Sequence, residues 1–174
     1  MFVIASVFET IDKNIDDIFI FILQNDDIKK LLGNNLKNAL SPSEPVPEKD
    51  WINDYLFDTP RVPDTQSEVK SFIMIEMNET RKAGANNTYQ LEVILSMDVI
   101  CHEDVTRLDE GRRIYRLLGL IESEMRNLKT ESIRGSFAYD RCSKMVYSNE
   151  FQGYRLKYTI TNNSQNCRWL YGKC

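Results

Sequence analysis

The sequence predicts an α+β domain in which an antiparallel, mixed-length sheet of about four strands is flanked by two main helices, in the order helix, strand, strand, helix, strand, strand. Three observations carry this. Residues Thr88 to Glu103 alternate, with Tyr89, Leu91, Val93, Leu95, Met97, Val99 and Cys101 apolar and Gln90, Glu92, Ser96, Asp98 and His102 polar. Period two is the spacing of a strand with one buried face. Two stretches, near the N-terminus and after His102, instead repeat apolar residues every three or four positions, as helices packed on a sheet do. Two further alternating stretches supply the remaining strands.

From Phe2 to Gln24, Ile4, Phe8, Ile11, Ile15, Ile18 and Ile22 form a stripe widened by Val7, Phe19 and Leu23, predicting a helix of about six turns. The stripe is too short, and lacks the flanking charges, for a coiled coil, so packing on the sheet is expected. A second short helix is expected to start at a cap on Asp26 or Asp27, run through Leu32 and end at Gly33, Asn34 and Asn35 in a left-handed turn. All five prolines lie between Pro42 and Pro63, alongside Trp51, Tyr55, Leu56 and Phe57. Proline removes donors and fixes φ, so residues 41–67 are expected to be a long loop rather than sheet, wrapped on its own domain or on a neighbour.

Val69 to Met77 is the first main strand, with Ile73, Ile75 and Met77 on one face, and Asn78 to Asn87 reads as the tip of a hairpin into the long strand. At about 3.3 Å per residue the Thr88 to Glu103 strand would run roughly 45 to 50 Å. Ile94 and Ile100 interrupt its polar face, which suggests that this face too is partly covered, with a neighbouring subunit as the expected cover. Thr106 with Asp109 is the expected cap of a helix to about Leu128, whose stripe is Ile114, Leu118, Ile121, Met125 and Leu128. Phe137 and Tyr139, a loop from Asp140 to Lys144, Met145 to Tyr147 and a strand from Phe151 to Asn162 complete the core. In that last strand Tyr154, Leu156, Tyr158 and Ile160 share one face.

With 174 residues at 42% hydrophobic, the chain can build one core, so a single domain is expected over residues 1–162 with a tail at 163–174. A formal charge of −4 offers no bulk attraction to nucleic acid or to an anionic membrane. No apolar run reaches the roughly 20 residues of a spanning helix, and Glu9 and Asp12 come too early for a signal peptide, so a soluble protein kept in a cytoplasm is expected. Cys101, Cys142, Cys167 and Cys174 have no paired spacing, predicting neither zinc nor a disulfide framework.

The single histidine stands in Cys101, His102, Glu103, Asp104. Neighbours on a strand point to opposite faces and no second histidine is available, so a metal site is not expected and the stretch reads as a strand end leading into a cap. The glycines form neither phosphate-binding pattern, and no nucleophile motif is present. Catalytic, metal and cofactor residues are accordingly expected to be none. The sequons at Asn78, Asn86 and Asn162 are chance matches on this reading. What remains is a basic group, Arg107, Arg112, Arg113 and Arg116, together with Arg81 and Lys82 at the hairpin tip and the loop aromatics Trp51, Tyr55 and Phe57. Arginine suits bidentate contact with a partner's carboxylate, so these residues are the expected subunit and partner interface, against the plainer reading of a solvated helix face.

Taken together, the passage Phe57 to Met77, FDTPRVPDTQSEVKSFIMIEM, the long strand ending in Val99, Ile100, Cys101, His102, the arginine-bearing helix and the closing Phe151, Gly153, Tyr154, Leu156 and Tyr158 resemble tail terminator and related neck proteins of long-tailed bacteriophages. The resemblance spans roughly Phe2 to Asn162. It implies a subunit that assembles with itself into a sixfold ring, stops the polymerisation of the tail tube protein and docks to a head-completion or connector protein. It also implies a virion protein assembled in a host cytoplasm, with DNA sliding through the lumen and no membrane partner. A head-closure adaptor of the same region shares these features, and a cellular α+β binding domain with a concave pocket is the reading from another class. The proline-rich loop and the Cys167 to Cys174 tail depart from a minimal member of the resembling family.

Overall fold

The computed structural model describes residues 7–60, 69–82, 91–128 and 137–162, and within these the side chains of 7–12, 78–82, 91, 161 and 162 are left aside. Three helices, α1 (Val7–Ile22), α2 (Asp26–Gly33) and α3 (Arg113–Asn127), lie on one face of a five-stranded sheet. Its strands are β1 (Leu56–Phe57), β2 (Ser71–Lys82), β3 (Leu91–His102), β4 (Phe137–Val146) and β5 (Phe151–Asn162). Their order is β1-β2-β3-β5-β4, with β1 parallel to β2 and every other pair antiparallel. The α+β class is as expected.

The central strand is β3. Its 12 residues span about 40 Å, and the expected faces hold: Val93, Leu95, Met97, Val99 and Cys101 enter the main core. They meet Ile18 and Ile22 of α1, Leu31 and Leu32 of α2, and Ile114, Leu117, Ile121 and Met125 of α3. On the opposite face Phe57, Phe72, Met74, Ile100 and Phe151 form a second cluster against which Tyr147 packs. Phe72 stacks edge-on to both Phe57 and Phe151, at 5.7 and 6.0 Å between ring centres. Cover for this half of the second face therefore comes from the chain's own large side chains, where a neighbouring subunit was expected. Gly153 is needed there, because a Cβ would lie 2.8 Å from the Tyr147 ring and 3.0 Å from the Val99 carbonyl oxygen.

Several expected boundaries move. Asn25, not Asp26 or Asp27, caps α2, its side chain accepting from the Asp27 and Ile28 amides. The aspartates occupy the first turn, where they favour the positive helix end. Asn34 closes α2 in an extended conformation, so no left-handed residue ends it. Gly33 has another reason to be glycine: its Cβ would sit 2.7 Å from Pro47 and 2.9 Å from Trp51, where the loop crosses the helix. Gly33→Ala is therefore expected to lower stability by about 1 kcal/mol despite alanine's better helix propensity, since overpacking costs more than propensity returns. A blue- or red-shifted Trp51 emission alongside urea unfolding checks it.

The loop expectation holds only in part. Trp51 and Tyr55 pack on the main core, 5.4 Å apart, so residues 41–60 wrap their own domain. But Leu56 and Phe57 enter the sheet, Ile73 donating to the Tyr55 carbonyl at 2.8 Å. Asn53, at φ 73°, makes the tight turn that returns the chain to β1. Asn78 to Lys82 is strand rather than hairpin tip, carried past a bulge between Met77 and Glu79. Likewise Asp140 to Lys144 is strand rather than loop, with a bulge between Tyr139 and Arg141. α3 begins at Arg113, later than the Thr106 and Asp109 cap implied, because residues 103–112 are spent on a short 3-10 turn and a tight reversal through Gly111 at φ 89°. Its stripe is as read, with Leu117 added.

Candidate functional site

The residues expected to form one interface are dispersed by the fold. Arg113 is fully buried. Its Nε donates to the Val105 carbonyl at 2.7 Å, Nη1 to those of Leu31 and Asn34 at 2.6 and 2.7 Å, and Nη2 to that of Leu36 at 2.8 Å. These carbonyls include the end of α2, where four acceptors lack helical partners and the dipole favours a cation. Burial lowers the Arg113 pKa, yet guanidinium stays charged at any ordinary pH. Arg113 is thus an internal clamp between α2, the segment after it and α3, and is not presented to a partner.

Phe57 is also internal, in the second cluster. Trp51 and Tyr55 are half-buried against the main core, with the Lys70 ammonium 5.6 Å from the Tyr55 ring centre. Arg107, Arg112 and Arg116 are exposed. Arg116 lines a cleft of about 310 Å3 with Lys37, Asp109 and Glu110, a mixed-charge rim over Leu40 and Leu108. Arg81 and Lys82 pair with Glu92 and Leu91 through the backbone at the far end of β2, and their side chains lie outside the described part.

His102 ends β3, as the sequence suggested, and itself caps the 3-10 turn Glu103–Val105, a role the sequence reading had not given it. Its Nδ1 accepts from the Asp104 amide at 3.2 Å, which leaves the proton of the neutral ring on Nε2, and the ring stands edge-on to Phe151 at 4.9 Å. Its neighbour Cys101 points into the main core. Burial pushes that thiol up to about 11, with Ser71 and the Arg113 charge pulling it partway back. The folded pKa lies above the unfolded value near 9, so the stabilisation is complete below pH 9 and is lost as pH rises toward about 11. On the order of 2 to 3 kcal/mol should disappear in that window. Urea unfolding across it should show the drop, and Cys101→Ala should remove the part between pH 9 and 10, below the range where Tyr147 and Tyr158, also raised by burial, begin to add their own loss.

Reasoning along the sequence missed a part-buried ion pair on the second face. Asp98, 4% exposed, accepts from Arg155 Nε and Nη2 at 2.6 Å each and from the Tyr147 hydroxyl at 2.5 Å. Asp98 and Arg155 are opposite each other on β3 and β5, so the register itself brings them together. Burial, then the Asp98 carboxylate, raise the Tyr147 pKa, so its hydroxyl stays a donor.

Also missed was the surface of β4. From Ala138 to Cys142 it is exposed on both faces. On the helix side Tyr139 is half exposed and Tyr115 of α3 meets Tyr154 through their hydroxyls at 2.8 Å, while Val146 at the strand end is 79% exposed. Arg112 is close enough to act on Tyr154 electrostatically. The signal available in the sequence was the alternation of Phe137, Tyr139 and Met145, which the Asp140 bulge puts out of phase.

Among the described residues no group of histidine, cysteine, aspartate and glutamate could hold a metal ion, and no helix is long and apolar enough to cross a membrane. A family model, YomW, matches residues 25–160, well over half of the chain and all five strands but for the last residues of β5. No curated protein matches the sequence.

Proposed function

This chain belongs to the YomW family, which is phage-associated, and from that premise we propose that it is a structural neck protein that forms a hexameric ring, terminates the phage tail tube and joins the tail to the head connector. Its partners on this reading are further copies of itself, the tail tube protein on one side and a head-completion or connector protein on the other. DNA passes through the lumen without sequence-specific binding. Its place is the virion neck, reached after assembly in the host cytoplasm. The work is mechanical rather than enzymatic.

The observation that carries the reading is the edge strand β4, which has no strand beyond it among the described residues and is exposed on both faces from Ala138 to Cys142. A subunit that must associate with copies of itself needs such an unfinished surface. Electron microscopy of particles made without this gene tests it. Overlong tails beside tailless, DNA-filled heads are the expected result. Tails of normal length beside heads that have lost DNA would move the chain to head closure, and unaltered virions would overturn the neck reading.

A further inference from the structure

The sheet ends at β4, a strand whose own sequence is complementary to itself. Among the described residues β4 has β5 on one side and neither a strand nor a backbone hydrogen bond on the other. Ala138 to Cys142 are exposed in succession, so the outer edge is open to a further strand. The register with β5 tells which face each residue takes. Phe137, Cys142, Lys144 and Val146 lie opposite Ile160, Leu156, Tyr154 and Gln152 on the helix side, while Ala138, Arg141, Ser143 and Met145 take the other face. Asp140 is the bulged residue between the two regular stretches, and its carboxylate reaches Arg141 at 3.7 Å, an exposed pair of little worth.

We propose that β4 pairs with β4 of a second copy, antiparallel about a twofold axis that passes through Cys142 normal to the sheet, so that two sheets become one. Such an axis sets each residue opposite one on its own face, so it must pass through a residue, and the charges choose which. Axes near either end of the strand overlap too few residues. Centred on Arg141 or on Lys144, the pairing would set like charges directly opposite each other. Centred on Ser143, it would leave Arg141 opposite Met145 and Lys144 opposite Cys142, each without a counter-charge. Centred on Cys142, it sets Lys144 opposite Asp140 of the other copy, twice by symmetry, and Arg141 opposite Ser143. The two arginines then meet diagonally, about 7 to 8 Å apart and in solvent, where screening is strong. The bulge completes the match. Taken as one step, as it is against β5, it brings Ala138 opposite Met145 and Phe137 opposite Val146, each pair on one face. Val146, 79% exposed in the single copy, finds its cover there. Backbone hydrogen bonds along the added strand supply the affinity, and the ion pairs supply the register. The pair goes beyond the ring reading. A twofold contact closes at two copies whereas a ring repeats head to tail, so pairing belongs to the free chain, covers its open edge, and gives way where ring contacts form.

Sedimentation velocity of the full chain over a range of protein and salt concentrations tests this. A dimer is expected, weaker at high salt. Asp140→Lys alone, or Lys144→Asp alone, should weaken it by at least about tenfold, because each change acts twice across the axis. Asp140→Lys with Lys144→Asp exchanges the charges and should recover most of the affinity. Circular dichroism confirms that each variant is folded. In the native dimer diamide, which takes one hydrogen from each of two thiols, should join Cys142 to Cys142, since residues directly opposite in an antiparallel pair lie within disulfide reach. Peptide mapping identifies that bond and needs no variant. A dimer indifferent to both reversals, or one in which Cys142 does not couple to itself, would overturn the contact. Association that each reversal weakens and the exchange fails to restore would overturn the twofold register in favour of β4 adding to a different surface. A native chain that stays monomeric at its highest attainable concentration would overturn it as well. Pairing as expected beside unaltered virions would instead sink the neck reading and leave the pair intact.

Discussion

Replacing Arg113 with alanine is expected to lower the unfolding free energy by about 3 to 5 kcal/mol, enough to unfold much of a marginally stable domain. The substitution strips four carbonyl oxygens, those of Leu31, Asn34, Leu36 and Val105, of their donor at once. Each buried acceptor left unsatisfied costs about 1 to 3 kcal/mol, and the sum is trimmed because water enters the space the side chain vacates. The end of α2 loses its cation as well, and the hinge between α2 and the proline-rich segment loses its anchor. Arg113→Lys should recover less than half, since a compact ammonium cannot span acceptors on three segments as a planar fork does. Urea unfolding followed by circular dichroism measures both. A loss below about 1 kcal/mol for the alanine variant would show that the clamp is not what joins these elements.

The second large effect is expected at Asp98. Asp98→Ala should cost about 3 kcal/mol, because it leaves the Arg155 guanidinium facing a half-covered sheet surface with no counter-charge and removes the acceptor of the Tyr147 hydroxyl. The Arg155 side chain is 26% exposed, so part of its charge finds water, and the value stays below that for a fully buried pair. Removing both charges together should be far milder. Asp98→Leu with Arg155→Met continues the apolar surface begun by Ile100 and Met74, and should come within about 1 kcal/mol of the native chain. If the double variant is as unstable as Asp98→Ala, the ion pair is not the source of the loss. Tyr147 supplies an internal readout, because without Asp98 its pKa should fall back toward that of a free phenol in spectrophotometric titration.

Much of the sheet was legible because periodicity is local. The alternation of Val93 to Cys101 and of Tyr154 to Ile160 placed the core faces of β3 and β5, and both faces are where the pattern put them. The stripe of α3 held for the same reason. Ends were less legible. Whether Asn25 or Asp26 caps α2 depends on a side chain reaching two particular amides, and three neighbouring residues of similar chemistry could each have done so. Bulges hid two strand segments, since one extra residue at Asp140 and one between Met77 and Glu79 shift every later side chain to the other face.

The expected interface fared according to the same logic. Arginine clusters look alike along a sequence whether their members reach outward or inward, and nothing local marks Arg113 as the one that turns in to meet the carbonyls of α2 roughly eighty positions earlier. Phe57 likewise reads as a loop aromatic until Ile73 takes Tyr55 into the sheet.

What the sequence by itself determined is the α+β class, the buried faces of the long strands and helices, and the end of the long strand at His102. These follow from side-chain type and spacing within one element, which is information the chain carries locally. The tertiary structure alone decided that β5 lies between β3 and β4, that β1 and β4 stand at opposite ends of the sheet, that Asp98 meets Arg155 and that Arg113 is sealed inside. Each of these joins residues tens of positions apart, and such pairings are chosen by the packing of the whole core rather than by any stretch of it.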